Sequence, residues 1–321
     1  MKISSIPFAF LLTCIFTFSS CSDDPTDDHG SPNPACSLLS VNYAGNEQGA
    51  SIQGLDTLIY NNQGQVTSHI FTLSVGRSEQ PIFEESDSMA FSYNAGGQLT
   101  QVTFEEDNFI RYEYDASGRV SRELYHFDLE DQIPLRKNTM GTMVNARAKA
   151  RVAETVTITY NEFSYEGDAR YPSLMNTYFG SPQQSLLVYK CKLTIEEDNV
   201  RRMDFYEVDI LGGESEDGFT TFVYDDKLNP LSVLPGPVGN HFEFMNVFGV
   251  NNTTRIRDYD RGSDGEDILL YDLEIAYTYM EQGYPATMEL ISEIEYAEDG
   301  SGNIEYEFLG ELSAKLVYEC E

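Results

Sequence analysis

Carboxylates are the residues of this chain best suited to hold an ion or move a proton, and Asp258, Asp260, Asp264, Glu266 and Asp267 crowd into one Gly-containing stretch. A hard cation takes several oxygen ligands from a flexible loop, so this stretch is the candidate calcium site, and a calcium-assisted hydrolase built on it is the enzyme reading of the chain. Its spacing departs from the EF-hand loop, which needs carboxylates at alternate positions ahead of its glycine. The plainer reading is a solvated acidic loop. For acid–base chemistry, His69 and Glu123 occupy equivalent positions in copies of a repeated unit and should face the same side of a sheet. With one hairpin per copy they lie about 19 Å apart at about 4.8 Å per strand, beyond direct proton transfer. His126 and His241 have no identifiable partner, and Cys36, Cys191 and Cys320 have no neighbouring base to make a nucleophile.

The unit that positions His69 and Glu123 is clearest between Met89 and Phe127, where it occurs twice. Phe91 and Tyr93 alternate with Ser92, Asn94-Ala95-Gly96-Gly97 turns the chain, and Leu99, Val102 and Phe104 follow. Ile110, Tyr112 and Tyr114 then alternate into Asp115-Ala116-Ser117-Gly118, followed by Val120, Glu123 and Tyr125. Period two places one set of side chains on one face of a strand. Asn or Asp bonds its own backbone, and the later Gly takes positive φ freely, the pattern of a type I turn closed by a glycine bulge. After each turn the apolar spacing slips by one residue, which would flip the strand's face unless an extra residue is absorbed. The slip predicts a second bulge near Thr100 and Gln101, and again near Ser121 and Arg122; a hidden one-residue loop serves equally.

The same turn follows Tyr60, Tyr279 and Tyr296, so the structural glycines are Gly64, Gly97, Gly118, Gly283 and Gly300. Further strands read at 156–160, 187–195, 203–210, 219–224 and 316–320. Residues 128–153 break the rhythm with an Ala/Arg-rich stretch that is a basic loop or a short helix, and 231–252 reads as one or two helical turns over an end of the sheet. The expectation is an all-β domain over 37–321, its repeated antiparallel hairpins forming one large, twisted sheet with at most one or two short helices. Alternating Tyr serves mostly as core and cross-strand pairing.

Met1-Lys2, an apolar run from Ile3 to Phe18 and Ser19-Ser20 make a secretory signal over 1–20, too short for a confident membrane span. Cys21 after the small residues resembles the lipobox of bacterial lipoproteins, although Phe18 stands where Leu is usual. The resemblance implies cleavage before Cys21 and acylation there, enough for stable anchoring. Residues 21–36 lack large apolar side chains over most of their length and read as an acidic, flexible tether. Acidic residues just after Cys21 also resemble the surface-export signals of Bacteroidetes lipoproteins, which implies an outer-membrane anchor with the domain exposed at the cell surface.

With 53 acidic against 20 basic residues the net charge is −33, which repels phosphate backbones and excludes nucleic acid as a partner. An oxidising compartment permits one bridge among the remaining thiols, Cys36 with Cys191 or with Cys320, or none at all. In-phase apolar neighbours make Cys191 and Cys320 core-facing strand residues.

The Tyr-Asn/Asp-x-x-Gly unit resembles the YD repeats of Rhs-type bacterial proteins, in which hairpins are laid side by side. Tyr224-Asp225-Asp226-Lys227-Leu228-Asn229-Pro230, Asn251-Asn252-Thr253-Thr254 and Gly283-Tyr284-Pro285 resemble a family of uncharacterised Bacteroidetes lipoproteins. That resemblance implies an all-β domain and carries no activity. The expectation is a non-enzymatic, lipid-anchored envelope protein with a structural or binding role toward a protein or a glycan.

Overall fold

The computed structural model describes residues 36–127, 156–230 and 249–320, apart from 48–49, 78–79, 105–107, 170, 263–264, 298–301 and 309. The signal, Cys21, the tether, the basic stretch 128–153, the segment 231–248 with His241, Asp264 and Gly300 lie outside the described residues.

The described chain is all β, with no α-helix. The strands are β1 (Cys36–Glu47), β2 (Ala50–Tyr60), β3 (Val66–Arg77), β4 (Gln80–Tyr93), β5 (Leu99–Thr103), β6 (Phe109–Tyr114), β7 (Val120–Phe127), β8 (Val156–Ser164) and β9 (Leu174–Ser181), followed by β10 (Gln184–Glu196), β11 (Asn199–Val208), β12 (Glu214–Leu228), β13 (Asn251–Arg261), β14 (Asp267–Tyr279), β15 (Pro285–Tyr296), β16 (Ile304–Glu307) and β17 (Gly310–Cys320). Each pairs antiparallel with its successor from β1 to β16, and β17 returns to pair with both β15 and β1.

This corrects the expected open sheet: the strands close into a 16-strand barrel, with short β16 lying alongside β15. Twist accumulates with every added strand, and an open sheet of this size would leave two unpaired edges. Joining β1 to β17 removes both, from Cys36 beside Cys320 to Glu47 beside Gly310. Cys36 and Cys320 form a disulfide at one end of that seam, and Cys191 is free and buried.

Strands alternate direction, so alternate connections fall at the same end of the barrel. The turns bearing Gly64, Gly97, Gly118 and Gly283 share the end that holds Cys36 and Cys320. The bulges expected near Thr100 and Ser121 are present. Tyr93 pairs with Leu99 and Ser92 with Gln101, leaving Thr100 unopposed; Tyr114 pairs with Val120 and Glu113 with Arg122, leaving Ser121 unopposed. Thr67 and Thr254 are skipped in the same way. A bulge disrupts the ladder locally, and the Thr hydroxyl compensates: Thr100 Oγ1 donates to the Ser92 carbonyl at 3.0 Å, Thr67 to Ile59 at 3.2 Å and Thr254 to Val223 at 3.2 Å.

The tyrosine before each turn has a defined task. Tyr93 donates its hydroxyl to the Val66 carbonyl at 2.7 Å, Tyr114 to Leu99 at 2.6 Å and Tyr165 to Val120 at 2.8 Å. Each acceptor is the first strand residue after the preceding turn. Tyr60 to Leu38, Tyr224 to Val200 and Tyr277 to Thr253 extend the series around the ring. A phenol is long enough to cross to the neighbouring hairpin, and its ring joins the core on the way.

Inward side chains form one continuous apolar core that includes Val41, Val66, Val102, Ile110, Val120, Met175, Val200, Ile275 and Met288. Circular barrels of this strand number enclose an aqueous channel. Here the inner positions nearest the tyrosine-bearing turns are filled by side chains.

Candidate functional site

His69 and Glu123 both point into the barrel and are fully buried, four strand spacings apart along β3 to β7. Each has its own company. His69 Nε2 lies 2.6 Å from Asp56 Oδ1, while Asp56 Oδ2 is buried without a hydrogen-bond partner. Glu123 Oε2 accepts from the Tyr125 hydroxyl at 3.0 Å and from Asn161 Nδ2 at 3.4 Å, and Asn161 Oδ1 accepts from Thr177. Sequence reading missed Asp56, because a lone Asp in a strand carries no motif. These are internal polar networks inside the barrel wall. His126 lies on the outer face, stacked on Phe109 at 4.4 Å.

Among the described residues the acidic stretch is not drawn together. Asp258 accepts from Thr220 Oγ1 at 2.8 Å, Asp260 Oδ1 accepts from the Arg261 backbone, and Asp267 is paired with Arg261. Among the described residues no three His, Cys, Asp or Glu side chains converge as a metal would require. β13 and β14 hold Asp258 and Asp267 in separate pairings because strand geometry, which sequence crowding does not reveal, spreads consecutive residues along the wall.

The residues around Tyr224 and Asn251 do converge, with a structural result. Asp225 accepts from the Lys227 and Asn252 backbone N–H groups at 2.9 and 3.2 Å and from the Tyr279 hydroxyl. Asn199 exchanges bonds with Asn251, its Oδ1 accepting from the backbone at 3.1 Å and its Nδ2 donating to Oδ1 at 2.8 Å. Asn229 and Val250 are joined by a backbone bond of 2.9 Å. This network ties together the two ends of the chain between β12 and β13, replacing the missing turn glycine.

The turns follow one plan. Asn94 Oδ1 accepts from the Gly96 and Gln98 N–H groups at 2.9 and 3.0 Å, and Gly97 sits at φ +84°. Where Asp115 replaces Asn, Arg119 replaces Gln, and its Nε donates to Asp115 Oδ2 at 3.0 Å. Burial alone would raise the Asp115 pKa, but bonds from Arg119 and Ser117 outweigh it and hold the carboxyl below its usual value. The same side chains link neighbouring turns: Gln65 donates to the Gly97 carbonyl at 3.1 Å, Gln98 to Gly118 at 3.4 Å and Arg119 to Gly167 at 2.7 Å. The connection after Tyr296 lies at the opposite end, where the Ala297 N–H donates to the Asn303 carbonyl. A turn of the same plan that the motif did not find is centred on Asp209 and Gly212 at that opposite end, and Gly262 and Gly265 share its backbone bonds there.

Residues 93–125 match the RHS repeat. In this chain the RHS repeat is therefore a tyrosine latch, an Asx-closed turn and a bulge, and the same three parts recur outside the matched residues. A porin-like protein from Bacteroides uniformis is similar over 88% of this chain and 96% of its own, at 13% identity and a TM-score of 0.52. A porin-like protein from Bacteroides vulgatus is similar over 88% of this chain and 98% of its own, at 10% identity and a TM-score of 0.43. No curated protein sequence matches the chain. At 13% identity the likeness to the first is one of fold, so surface chemistry has to be read from this barrel itself.

Much of the outer wall is charged. Arg122 pairs with Glu162 at 2.7 Å across β7 and β8, Arg255 with Asp272 at 2.7 Å across β13 and β14, and Arg257 with the same Asp272 at 3.1 Å. Burial works to raise the Asp272 pKa, but hydrogen bonds from Arg255 and Arg257 prevail and lower it. Lys190 pairs with Glu214, and Arg202 lies over the Phe219 ring at 3.6 Å.

The wall from β17 through β4 differs. The registers align Val317, Ser40, Thr57, Ile70 and Ser88 in one transverse row, Lys315, Asn42, Leu55, Thr72 and Ser86 in the next, and Ser313, Ala44, Gln53, Ser74 and Glu84 in a third. In these three rows charge appears only at the margins, on Lys315 and Glu84. A cleft of about 630 Å³ lies over this wall, lined by Asn42, Gln53, Leu55, Thr72, Ser74 and Ser86, with Glu84 at its edge.

Proposed function

We propose that the protein is a lipid-anchored cell-envelope protein whose water-facing barrel serves binding rather than conduction or catalysis. The observation that carries this reading is the barrel's polarity. A barrel that crosses a bilayer presents an outward apolar band and a polar interior. This one has arginine–carboxylate pairs outside and an apolar core inside. Each Arg held at a bilayer midplane would cost about 2–4 kcal/mol, so Arg122, Arg202, Arg255 and Arg257 on the outer wall favour a barrel that stands in water. Attachment then falls to Cys21, through the lipobox-like leader, and the outer membrane with surface exposure is the address that the acidic residues after Cys21 support. The turns are latched to one another, which suits a rigid platform.

Fractionation of cells that express the full chain tests the reading. The wild-type chain is expected in the outer-membrane fraction, and Cys21→Ser should release it in soluble form. Protease added to intact cells should digest the wild-type domain. Retention of the Cys21→Ser chain in the membrane after alkaline washing, or stepwise conductance when the purified chain is added to a planar bilayer, would overturn it.

A further inference from the structure

The uncharged wall is unusual for a chain of net charge −33. Elsewhere on the outside, opposite charges on adjacent strands pair and steady the sheet. On β1 to β4 those pairs are given up for Ser, Asn, Gln and Ala, which are poorer strand residues than the Thr and Ile beside them. Strand stability therefore does not account for the choice. A ligand does.

We propose that the cleft over β1 to β4 binds an uncharged glycan. Amide and hydroxyl groups both donate and accept, as sugar hydroxyls do, and apart from Glu84 at the edge neither side has to strip water from a charge. The side chains of Gln53, Ser74 and Ser86 have no hydrogen-bond partner among the described residues, so they remain for a ligand. Leu55 and Ile70, each 37% exposed, offer apolar contact to the C–H faces of sugar rings. A volume of about 630 Å³ falls in the range of small-ligand sites, roughly 300–1,000 Å³. Anionic polysaccharides are disfavoured by the field of the whole molecule.

The inference rests on the water-facing reading of the barrel, and the two fail separately: insertion into a bilayer sinks both, whereas loss of glycan binding leaves the water-facing barrel intact. The test is affinity electrophoresis of the full chain carrying Cys21→Ser, in gels containing mannan, laminarin, xylan or dextran, with polygalacturonate and heparin as charged counterparts. The expected result is retardation by at least one neutral polysaccharide, unchanged by added salt. The double variant Gln53→Glu with Ser74→Asp should bind at least tenfold more weakly while melting within a few degrees of the parent, and Glu113→Gln on another wall should bind normally. The proposal is overturned if no neutral polysaccharide in the panel retards the chain, if only the charged ones do, or if the double variant binds as well as the parent. It is also overturned if the parent is a dimer that the double variant converts to a monomer.

Discussion

Deleting the Tyr224 hydroxyl isolates what the repeated tyrosine contributes. Tyr224 donates to the Val200 carbonyl at 2.8 Å, Val200 is fully buried, and the Tyr224 ring has Phe222 at 6.4 Å and Arg201 at 5.3 Å. Tyr224→Phe keeps the ring and its contacts and removes only the donor. A net hydrogen bond is worth about 1 kcal/mol, and an acceptor left buried raises the cost toward about 3 kcal/mol, so a loss of about 1–3 kcal/mol is expected. That corresponds to a fall in Tm of roughly 2–4 °C for each kcal/mol in a domain of this size class. Urea unfolding of the two chains side by side measures it, with Tyr206→Phe as the control. Tyr206 lies on the outer face, its ring under Lys192 Nζ at 4.3 Å, and losing its hydroxyl should cost less than about 0.5 kcal/mol. Equal midpoints for Tyr224→Phe and Tyr206→Phe would refute the latch and leave the ring alone as the reason for tyrosine.

Burial raises the pKa of Tyr60, Tyr93, Tyr165, Tyr224 and Tyr277, so the folded state keeps phenol protons that the unfolded chain gives up near pH 10. Above that pH the unfolded state binds fewer protons, and stability should fall by about 1.4 kcal/mol per pH unit for each deeply buried phenol such as Tyr224; urea midpoints that stay flat from pH 9 to 11 would contradict this. Gly97 lies at φ +84° and Gly96 does not share that conformation, so Gly97→Ala should cost about 1–2 kcal/mol and Gly96→Ala much less, as thermal melts of the two variants will show. The Cys36–Cys320 bridge closes a span of 284 residues, and the chain-entropy estimate gives it about 5.6 kcal/mol; a reductant or Cys36→Ser should lower Tm markedly, while Cys191→Ser leaves the response to reductant unchanged. Asp56→Ala should cost about 1–3 kcal/mol by removing the buried partner of His69 Nε2, and Asp56→Leu combined with His69→Leu should recover part of that loss in the same unfolding assay.

What this chain shows in its sequence is whatever neighbouring residues decide among themselves. The Asn94 turn, the positive φ at Gly97 and the bulges at Thr100 and Ser121 are contests within a single hairpin, where side-chain type and a one-residue slip in spacing specify the outcome. The inward placement of His69, Glu123 and Cys191 follows from the same local parity. Closure does not. Whether β1 meets β17 depends on twist summed over the whole ring and on two strands nearly the full chain length apart, and no local pattern distinguishes that pairing from an open edge. For the same reason the sequence crowds Asp258 to Asp267 into an apparent ion site that the strands then draw apart. It also scatters Asn42, Gln53, Leu55, Thr72, Ser74 and Ser86 over nearly half a hundred positions, and only the register of four strands brings them onto one uncharged wall.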